Sequence, residues 1–431
     1  MYALLDAHNF YCSTEQIMRP SLRAHPFVVL SSNDGCVVSR SELARSMGVK
    51  MGVPWFQLYE LEQKGLIGLS GNMQLYSDFS TRMHSLIAGL SPDVVQFSVD
   101  EAFACMTGIP GDHTERVYRL RERIQKWLGL PMGGGIGKTH TLAKLASHVS
   151  KAAFRKPGLY PSELAHVCNL AQLSEAQLDK IMAATVVGDV WGIGRRYSDQ
   201  LYEAGVCTAL DLKRYNVATA RKRWGVTMER TIRELNGIDC ITVTGSVRRD
   251  QIMQSRSLKQ PVANCTELEK IGALFATNTA QKLRLQGSMC ACVNGFAMTS
   301  PFSKQERFVR SFSVPLVSPS DDTRTLVEAA VQGMRSIWEP GHDIVKVGVC
   351  LVDLAPRSEA LAQASFGFGI EADSSPRALM QALDAINDRY GKQCLRVGAV
   401  AVAEKKLQLS KQERKTPNYT MKLSEAPIVR A

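Results

Sequence analysis

Long apolar runs and closely spaced metal-binding residues are both missing from this chain of 431 residues. No stretch approaches the roughly 18 consecutive apolar residues that a membrane-spanning helix needs. The first carboxylate, Asp6, follows the initial methionine too soon for the apolar region of a signal peptide. We therefore expect an intracellular, cytoplasmic protein.

Paired cysteines and clustered histidines are missing as well. The 11 cysteines include no Cys-x-x-Cys motif, and the nearest two are Cys290 and Cys292. None of the 8 histidines belongs to a cluster with the spacing of a metal site. This distribution favours reduced, mostly buried thiols, and it gives no support to a zinc site or a catalytic thiol.

The two signs of charge are present in unequal numbers. Lys and Arg number 52 against 41 Asp and Glu, which gives a formal net charge of +11. A basic protein is biased towards polyanionic partners, so nucleic acids, ribosomes and acidic proteins all stay open at this level. The hydrophobic content of 45% is typical of a globular protein with a large core. At about 100–200 residues per domain, the length predicts two to four domains.

Short apolar runs and stretches of helical periodicity alternate along the first third of the chain. Strands are predicted at 2–5, 27–30 and around Asp100, and helices at 75–90, 115–128 and 138–151. This order predicts an α+β, palm-like sheet whose helices pack on one face. Further on, 173–238 is predicted to be helical throughout. Strands and helices alternate again beyond residue 268, which predicts a second, smaller α+β module.

Adjacent carboxylates stand at Asp100 and Glu101, after a β-branched approach and before two apolar residues. Neighbouring side chains of a strand point to opposite faces, so both acids line one surface only if the chain turns there. Taken alone, the pair most simply indicates a solvated strand end. Asp6 ends another predicted strand, and neighbouring strands would bring all three acids together. Three carboxylates can bind two Mg²⁺ ions for in-line nucleotidyl transfer, as in polymerases and nucleotide cyclases.

A glycine turn, Gly192-Ile193-Gly194, is followed by Arg195 and Arg196 within the helical region. Such a turn before a helix exposes backbone N–H groups that can bind a phosphate, and the arginines add positive charge. An ordinary helix turn is the simpler alternative. In a basic, helical segment the turn resembles a helix-hairpin-helix that binds the DNA backbone without reading sequence.

Several motifs in this order resemble those of the Y-family DNA polymerases, and most closely the UmuC-type catalytic subunit of bacterial SOS translesion synthesis. They are Asp6-Ala7-His8-Asn9-Phe10-Tyr11, Asn33-Asp34-Gly35-Cys36-Val37-Val38, Gly48-Val49-Lys50-Met51-Gly52, Ser98-Val99-Asp100-Glu101-Ala102, Thr141-Leu142-Ala143-Lys144-Leu145-Ala146, Val190-Trp191-Gly192-Ile193-Gly194-Arg195-Arg196 and Pro417-Asn418-Tyr419-Thr420. The resemblance covers essentially the whole chain. It implies an error-prone, template-directed DNA polymerase.

The resemblance also implies an α+β, right-hand polymerase fold with five parts. These are a palm (1–10 and 79–167), fingers (11–78), a helical thumb with a helix-hairpin-helix (168–240), an α+β little finger (250–354) and a C-terminal extension for partners or the sliding clamp (355–431). The implied partners are primer-template DNA, dNTP, a UmuD-like dimer, a RecA filament and the sliding clamp.

The site residues implied by the resemblance fall into two groups. Asp6, Asp100 and Glu101, with the Ala7 carbonyl, would be the Mg²⁺ ligands. The nucleotide-binding group is Phe10, Tyr11, Arg45 and Lys151. Tyr11 matches the steric gate that excludes a 2′-OH, and the two cations match contacts to the triphosphate. The alternatives are a half-buried core position for Tyr11 and solvated helix faces for the cations.

Three positions depart from the pattern of the resembling family. Glu42 stands where many members have a Tyr three residues before the triphosphate Arg, and His140 replaces a Lys. The segment 363–368 is only a loose match to a clamp-binding peptide.

Two other classes of function stay open. One is a non-catalytic DNA-binding or scaffold subunit, against which the intact acids argue. The other is a nucleotide cyclase, which leaves the glycine turn and the basic third region unexplained.

Overall fold

The computed structural model describes residues 1–245, 248–302, 306–359, 374–391, 394–398 and 412–427. The chain forms two compact units. One comprises Met1–Ser31, Gly35–Ser246 and Arg414–Ala431, and the other Ser32–Asp34 and Val247–Glu413. Within the described ranges, no helix has both the length and the apolar character to cross a membrane.

The strands are, in chain order, β1 (Tyr2–Ala7), β2 (Phe27–Leu30), β3 (Val37–Arg40), β4 (Ile67–Ser70), β5 (Val94–Gln96), β6 (Glu101–Cys105), β7 (Met132–Gly137), β8 (Val167–Asn169), β9 (Ile252–Ser257), β10 (Ser288–Thr299), β11 (Val309–Ser320) and β12 (Ile344–Pro356). The α-helices are α1 (Phe10–Met18), α2 (Glu42–Ser46), α3 (Tyr59–Gln63), α4 (Met73–Ile87), α5 (His113–Leu128), α6 (His140–Arg155), α7 (Glu175–Ala184), α8 (Arg195–Glu203), α9 (Ala209–Arg214), α10 (Val217–Trp224), α11 (Val226–Leu235), α12 (Cys265–Leu285), α13 (Thr323–Ser336) and α14 (Ser374–Tyr390).

The central sheet of the first unit has five strands in the order β5-β6-β1-β7-β8. Strand β1 lies between β6 and β7 and is antiparallel to both, whereas β7 and β8 are parallel. Its residues Ala3, Leu4 and Leu5 are fully buried, as expected for a strand covered on both faces. Strand β1 therefore lies in the core of the unit.

Strand β7 has the sequence Met-Gly-Gly-Gly-Ile-Gly, and its glycines allow helices to approach closely. A Cβ atom on Gly135 would lie 2.2 Å from the backbone nitrogen of Ser147, and one on Gly137 would lie 2.5 Å from that of Ala143. Both contacts are with α6. A Cβ on Gly134 would instead lie 2.5 Å from Val117 of α5. Because adjacent strand residues face opposite ways, α5 and α6 cover opposite faces, and the expectation that the helices share one face is wrong.

A smaller sheet, β3-β2-β4, lies in the same unit. Strand β2 is antiparallel to β3 and parallel to β4. Residues 414–427, which we call the C-terminal strap, pack beside this sheet, where Lys415 forms a parallel β-bridge with Ser70 of β4. Helices α7 to α11 have a separate core with α6, built around fully buried residues such as Leu201, Leu212 and Ile232.

The second unit contains a four-stranded antiparallel sheet in the order β11-β10-β12-β9. Helices α12 and α13 pack on it, and their apolar residues form the largest cluster of this unit. Helix α14 is joined to α12 by an ion pair in which Arg284 Nε lies 2.7 Å from Asp384. The second α+β module predicted from the sequence is present. Its strand β9 did not figure in the prediction, because the polar sequence Gln254-Ser255-Arg256 hides the alternation.

Candidate active site

Asp6 and Glu101 are directly opposite each other on the antiparallel strands β1 and β6. Their side chains therefore lie on the same face of the sheet. The chain turns just before Glu101, where the backbone N–H groups of Phe97 and Ser98 both donate to the Glu101 carbonyl at 3.1 Å. Asp100 belongs to this turn, and its carbonyl accepts from the Ala7 N–H at 2.9 Å. Asp6 thus lies near the end of β1, as expected, whereas Asp100 lies in a turn and Glu101 begins β6 instead of ending a strand. Asp6 and Glu101 face each other, and the backbone of Asp100 is bonded to Ala7 beside them.

Two lysines of α6 bind these carboxylates. Lys144 Nζ lies 2.7 Å from both oxygens of Glu101, and Lys151 Nζ lies 2.5 Å from Asp6 Oδ2. The lysines are seven residues apart, which is two helical turns, and so they project from one face of α6. The carboxylates are only 13% and 14% exposed. Burial raises the pKa of Asp6, an effect that the Lys151 ammonium opposes.

Lys144 also lies within a group of aromatic rings. Its Nζ is 4.4 Å from the ring centre of Phe97, 5.8 Å from that of Phe103 and 5.9 Å from that of Trp191. Rings at these distances attract an ammonium through their quadrupoles. The rings therefore favour one orientation of the Lys144 side chain, towards Glu101.

A cavity of about 390 Å³ opens beside Asp100. It is lined by Asn9, Phe10, Tyr11, Val38, Ser39, Arg40, Arg45, Met51, Val99 and Asp100. The ring of Tyr11 stacks on that of Tyr76 with centres 4.4 Å apart. Burial and then the nearby Asp100 charge raise the pKa of Tyr11, which keeps the phenol neutral. The structure thus gathers Phe10, Tyr11 and Arg45 around one space, whereas Lys151 is paired with Asp6.

Glu42, one of the departures in the sequence, holds two arginines near this cavity. Its Oε1 accepts from Arg155 at 2.9 Å and from the amide of Asn9 at 2.8 Å, and its Oε2 lies 3.4 Å from Arg45 Nε. The Asn9 Oδ1 accepts from Arg45 at 3.0 Å. Although burial acts to raise it, the pKa of Glu42 is lowered by the hydrogen bond from Asn9 and by both arginines. Glu42 therefore positions cations at the place where many members of the resembling family have a Tyr.

Sequence reasoning missed Lys144, Arg155 and Asn9 as members of the site. A signal was available for the two cations, because Lys144, Lys151 and Arg155 follow one another at intervals of seven and four along an amphipathic helix. No comparable signal exists for Asn9. It adopts a left-handed conformation at the start of α1, with φ of 48°, and only the fold brings Glu42 to its side chain.

The glycine turn lies at the surface of the helical part. Gly192 and Gly194 are exposed, Gly192 has a φ of +86°, and Gly194 is the N-cap of α8. Arg195 and Arg196, both exposed, form the first turn of that helix. The element before the turn is a single 3-10 turn, Val187–Asp189, so the first arm of the hairpin is short. The open N-terminus of α8 with two arginines suits an anionic phosphate.

His140, the other departure, lies in a different part of the unit. Its ring stacks on Tyr2 with centres 3.8 Å apart, and its Nδ1 is 3.8 Å from Asp239. Burial lowers the pKa of His140, whereas the negative charges of Glu234 and Asp239 act to raise it. This position therefore joins the start of α6 to the segment after α11. The loose match to a clamp peptide at 363–368 lies outside the described residues.

Three known protein families together match most of the chain. The impB/mucB/samB family matches residues 5–148, and its C-terminal domain matches residues 249–366. A domain of unknown function, DUF4113, matches residues 377–429. The first two matches cover the acids, the cavity and the sheet of the second unit, and the third covers the C-terminal strap.

Individual relatives match over nearly the full length. The chain is 34% identical to the protein ImpB of Salmonella typhimurium over 100% of both sequences, and 35% identical to the protein UmuC of Salmonella typhimurium strain LT2 over 99% of both. It is 25% identical to a DNA polymerase IV of Bacillus velezensis over 93% of both. Among solved structures, a Y-family DNA polymerase chimera of Dbh and Dpo4 matches with a TM-score of 0.66 at 16% identity, covering 82% of this chain and 98% of the chimera.

Proposed function

The chain belongs to the impB/mucB/samB family of Y-family DNA polymerases, and we propose that Asp6, Asp100 and Glu101 are its catalytic carboxylates. The α+β polymerase fold expected from the sequence is confirmed by the structural likeness. The protein is an error-prone, DNA-directed DNA polymerase of translesion synthesis in the bacterial SOS response. DNA and dNTP are accordingly its substrates.

The observation that carries the catalytic assignment is the pairing of Asp6 with Glu101 across β1 and β6, beside the turn that holds Asp100. Each carboxylate of that pair is already bound by an ammonium group at 2.5 to 2.7 Å, so the edge attracts cations. The donors are all hard oxygens, with the Ala7 carbonyl as a further candidate, and this set fits Mg²⁺. When bound, two Mg²⁺ ions would activate the primer 3′-OH and neutralise charge on the leaving pyrophosphate.

The other residues of the cavity would bind and orient the nucleotide. Arg45 would contact the triphosphate, and Arg155 would hold Glu42 and thereby Arg45 in place. Lys151 would transfer from Asp6 to a phosphate oxygen, since an ammonium forms strong hydrogen bonds to either anion. Tyr11, stacked on Tyr76 and beside Phe10, would exclude a 2′-OH as a steric gate.

The duplex would be bound through its phosphates by the exposed turn of Gly192 and Gly194 with Arg195 and Arg196.

We also propose the domain boundaries given by the resemblance, with the palm at 1–10 and 79–167, the fingers at 11–78, the thumb at 168–240 and the little finger at 250–354. A UmuD-like dimer, a RecA filament and the sliding clamp are proposed partners. The protein would act in the cytoplasm, where the chromosome lies.

Primer extension tests the catalytic assignment. The variant Asp100→Ala with Glu101→Ala is expected to abolish extension while primer-template binding survives, because the glycine turn is untouched. A matched control replaces two exposed acids, Glu60 and Glu122, by Ala and should extend normally. Extension by the Asp100/Glu101 variant at the wild-type rate would refute the metal assignment.

The same assay separates the rival classes of function. Wild type that binds primer-template but never extends it, even with Mg²⁺ and the proposed partners, would indicate a non-catalytic subunit. Template-independent turnover of nucleotide would indicate a cyclase. Extension across an abasic template, with and without the UmuD-like dimer and RecA filament, tests the translesion role and the partners together.

A further inference from the structure

The C-terminal strap is hydrogen-bonded to the edge of the small sheet. The Ser70 N–H donates to the Arg414 carbonyl at 3.1 Å, and the Arg414 N–H donates to the Ser70 hydroxyl at 3.0 Å. The Arg414 guanidinium lies over the ring of Trp55, 5.2 Å from its centre, and 2.8 Å from Glu62. The strap thus pairs briefly with the end of β4, and the Arg414 side chain anchors it to Trp55 and Glu62.

Immediately after this pairing, the strap binds the start of α4. Asn72 is the N-cap of α4, and its Oδ1 accepts from the Leu75 N–H. Its amide N–H₂ donates to the Thr416 hydroxyl at 3.1 Å and to the Pro417 carbonyl at 3.0 Å. Asn72 is fully buried and Thr416 is 4% exposed. The strap therefore completes the hydrogen bonding of a buried helix cap.

Thr416 then reaches a buried carboxylate. Its hydroxyl donates to Glu15 Oε1 at 3.1 Å, and the Tyr76 hydroxyl donates to the same oxygen at 2.7 Å. Glu15 of α1 is fully buried, and Tyr76 of α4 is 2% exposed. A buried carboxylate is stable only with donors, so both hydroxyls contribute to holding Glu15 in this place.

Tyr76 connects this carboxylate to the nucleotide cavity. One end of Tyr76 is fixed by Glu15, and its ring stacks on Tyr11 with an interplanar angle of 19°. Tyr11 lines the cavity beside Asp100. The contacts Thr416, Glu15, Tyr76 and Tyr11 therefore form one continuous series from the strap to the cavity wall.

We propose that the C-terminal strap is a positioning element for nucleotide selection, in which the Thr416 hydroxyl fixes Glu15 and Tyr76 and thereby the ring of Tyr11. The proposal rests on the steric-gate role given to Tyr11 under the proposed function. It assigns a task to residues 414–427, which lie in the segment matched by the domain of unknown function. Tyr11 is the residue that touches substrate, and Thr416 acts on it through two intermediates.

The test compares Thr416→Val, which removes the hydroxyl at nearly constant shape, with Thr416→Ser, which keeps it. Thr81→Val is the control, because Thr81 is an exposed residue of α4 whose hydroxyl bonds only within its own helix. Single-nucleotide insertion is measured for dNTP and rNTP in each full-length variant. Thr416→Val should lower the discrimination against rNTP by about two- to thirtyfold, with the Kd for primer-template unchanged. Thr416→Ser and Thr81→Val should behave as wild type.

A purely structural strap would give another result, since lost stability lowers insertion of both sugars equally. Equal discrimination in Thr416→Val and wild type would therefore overturn the proposal. The variant Tyr11→Ala distinguishes a failure of the strap proposal from a failure of the steric-gate role. If Tyr11→Ala admits rNTP and Thr416→Val does not, the strap proposal alone fails. If Tyr11→Ala leaves sugar selection unchanged, the steric-gate role fails and the strap proposal with it.

A second variant keeps the test decisive if Thr416→Val does not fold. Tyr76→Phe retains the ring that stacks on Tyr11 but loses the hydroxyl that binds Glu15. It should lower sugar discrimination in the same direction as Thr416→Val. Wild-type discrimination in Tyr76→Phe would overturn the proposal as well.

Discussion

Replacing Gly135 by alanine tests how the lysines of α6 are brought to the carboxylates. The added Cβ would lie 2.2 Å from the Ser147 nitrogen and 2.5 Å from the Ala143 carbonyl oxygen, both backbone atoms of α6. No rotamer change relieves a contact with backbone. Helix α6 must therefore move away from β7 and carry Lys144 and Lys151 with it.

The size of this movement follows from the contact distances. Ordinary Cβ contacts begin near 3.4 Å, so the 2.2 Å contact requires a shift of about 1 Å at Ser147. Overpacking of this kind costs about 1–3 kcal/mol in the free energy of unfolding. A displacement of about 1 Å in catalytic groups can lower the rate by about a hundredfold. We expect kcat for primer extension to fall by about that factor in Gly135→Ala.

Two matched variants separate helix displacement from general destabilisation. Gly134→Ala crowds Val117 on the other face of the sheet, at 2.5 Å, and leaves α6 in place. Gly89→Ala meets its nearest atom at 3.4 Å and should be neutral. Thermal unfolding and single-turnover extension are measured for all three. Gly134→Ala should lose stability but retain most of its kcat.

Two outcomes would contradict this reasoning. One is a Gly135→Ala protein that folds and retains kcat within about twofold of wild type. The other is an equal loss of kcat in Gly134→Ala and Gly135→Ala at equal stability, which would show that the position of α6 is not the cause.

Three further predictions concern charge. Lys144→Gln removes the ammonium that competes for Glu101, so Mg²⁺ should bind the DNA-free protein about tenfold more tightly by calorimetry, with Lys156→Gln unchanged as the control. Arg195→Ala with Arg196→Ala should weaken primer-template binding and reduce the slope of log K against log salt by about 2, measured by fluorescence anisotropy. Burial lowers the pKa of His140, so the folded state excludes a proton that the unfolded chain binds below pH 6.5. As the pH drops below that value, the free energy of unfolding should therefore decrease, by at most about 1.4 kcal/mol per pH unit from this group. Urea titrations of His140→Asn should show a smaller decrease.

The sequence was informative where chemistry and local pattern coincide. The acid pair Asp100 and Glu101 is contiguous, and Asp6 comes directly after a run of apolar residues, so the sequence alone indicates that the acids lie at the edge of a sheet. The fold class followed from the same alternation of strands and helices. The glycines of β7 are visible in the sequence too, but on their own they indicate only a weak strand. That they admit α6 on one face and α5 on the other depends on packing that no local pattern encodes.

Contacts between distant segments were the part that could not be predicted. Glu42 was recognised as a departure, yet its partners Arg155 and Asn9 come from two other helices, α6 and the start of α1. The cation spacing on α6 indicates a shared face but not which anions it meets. The strap is the extreme case, because a Thr in a polar tail has no pattern that marks a buried destination.

The separation between the strap and its partners has a consequence for how the protein is made. Thr416 binds Glu15, which precedes it by 401 residues, and Asn72, which precedes it by 344. A ribosome delivers the N-terminal residues first, and long-range contacts of this kind form last. Until the strap is synthesised, the N-terminal unit therefore has a buried carboxylate that lacks one donor and a helix-cap amide that lacks its acceptors. A chain that terminates early, or that is cleaved before residue 414, never acquires them. Synthesis as far as the strap is thus required before the contacts of Thr416 with Glu15 and Asn72 can form.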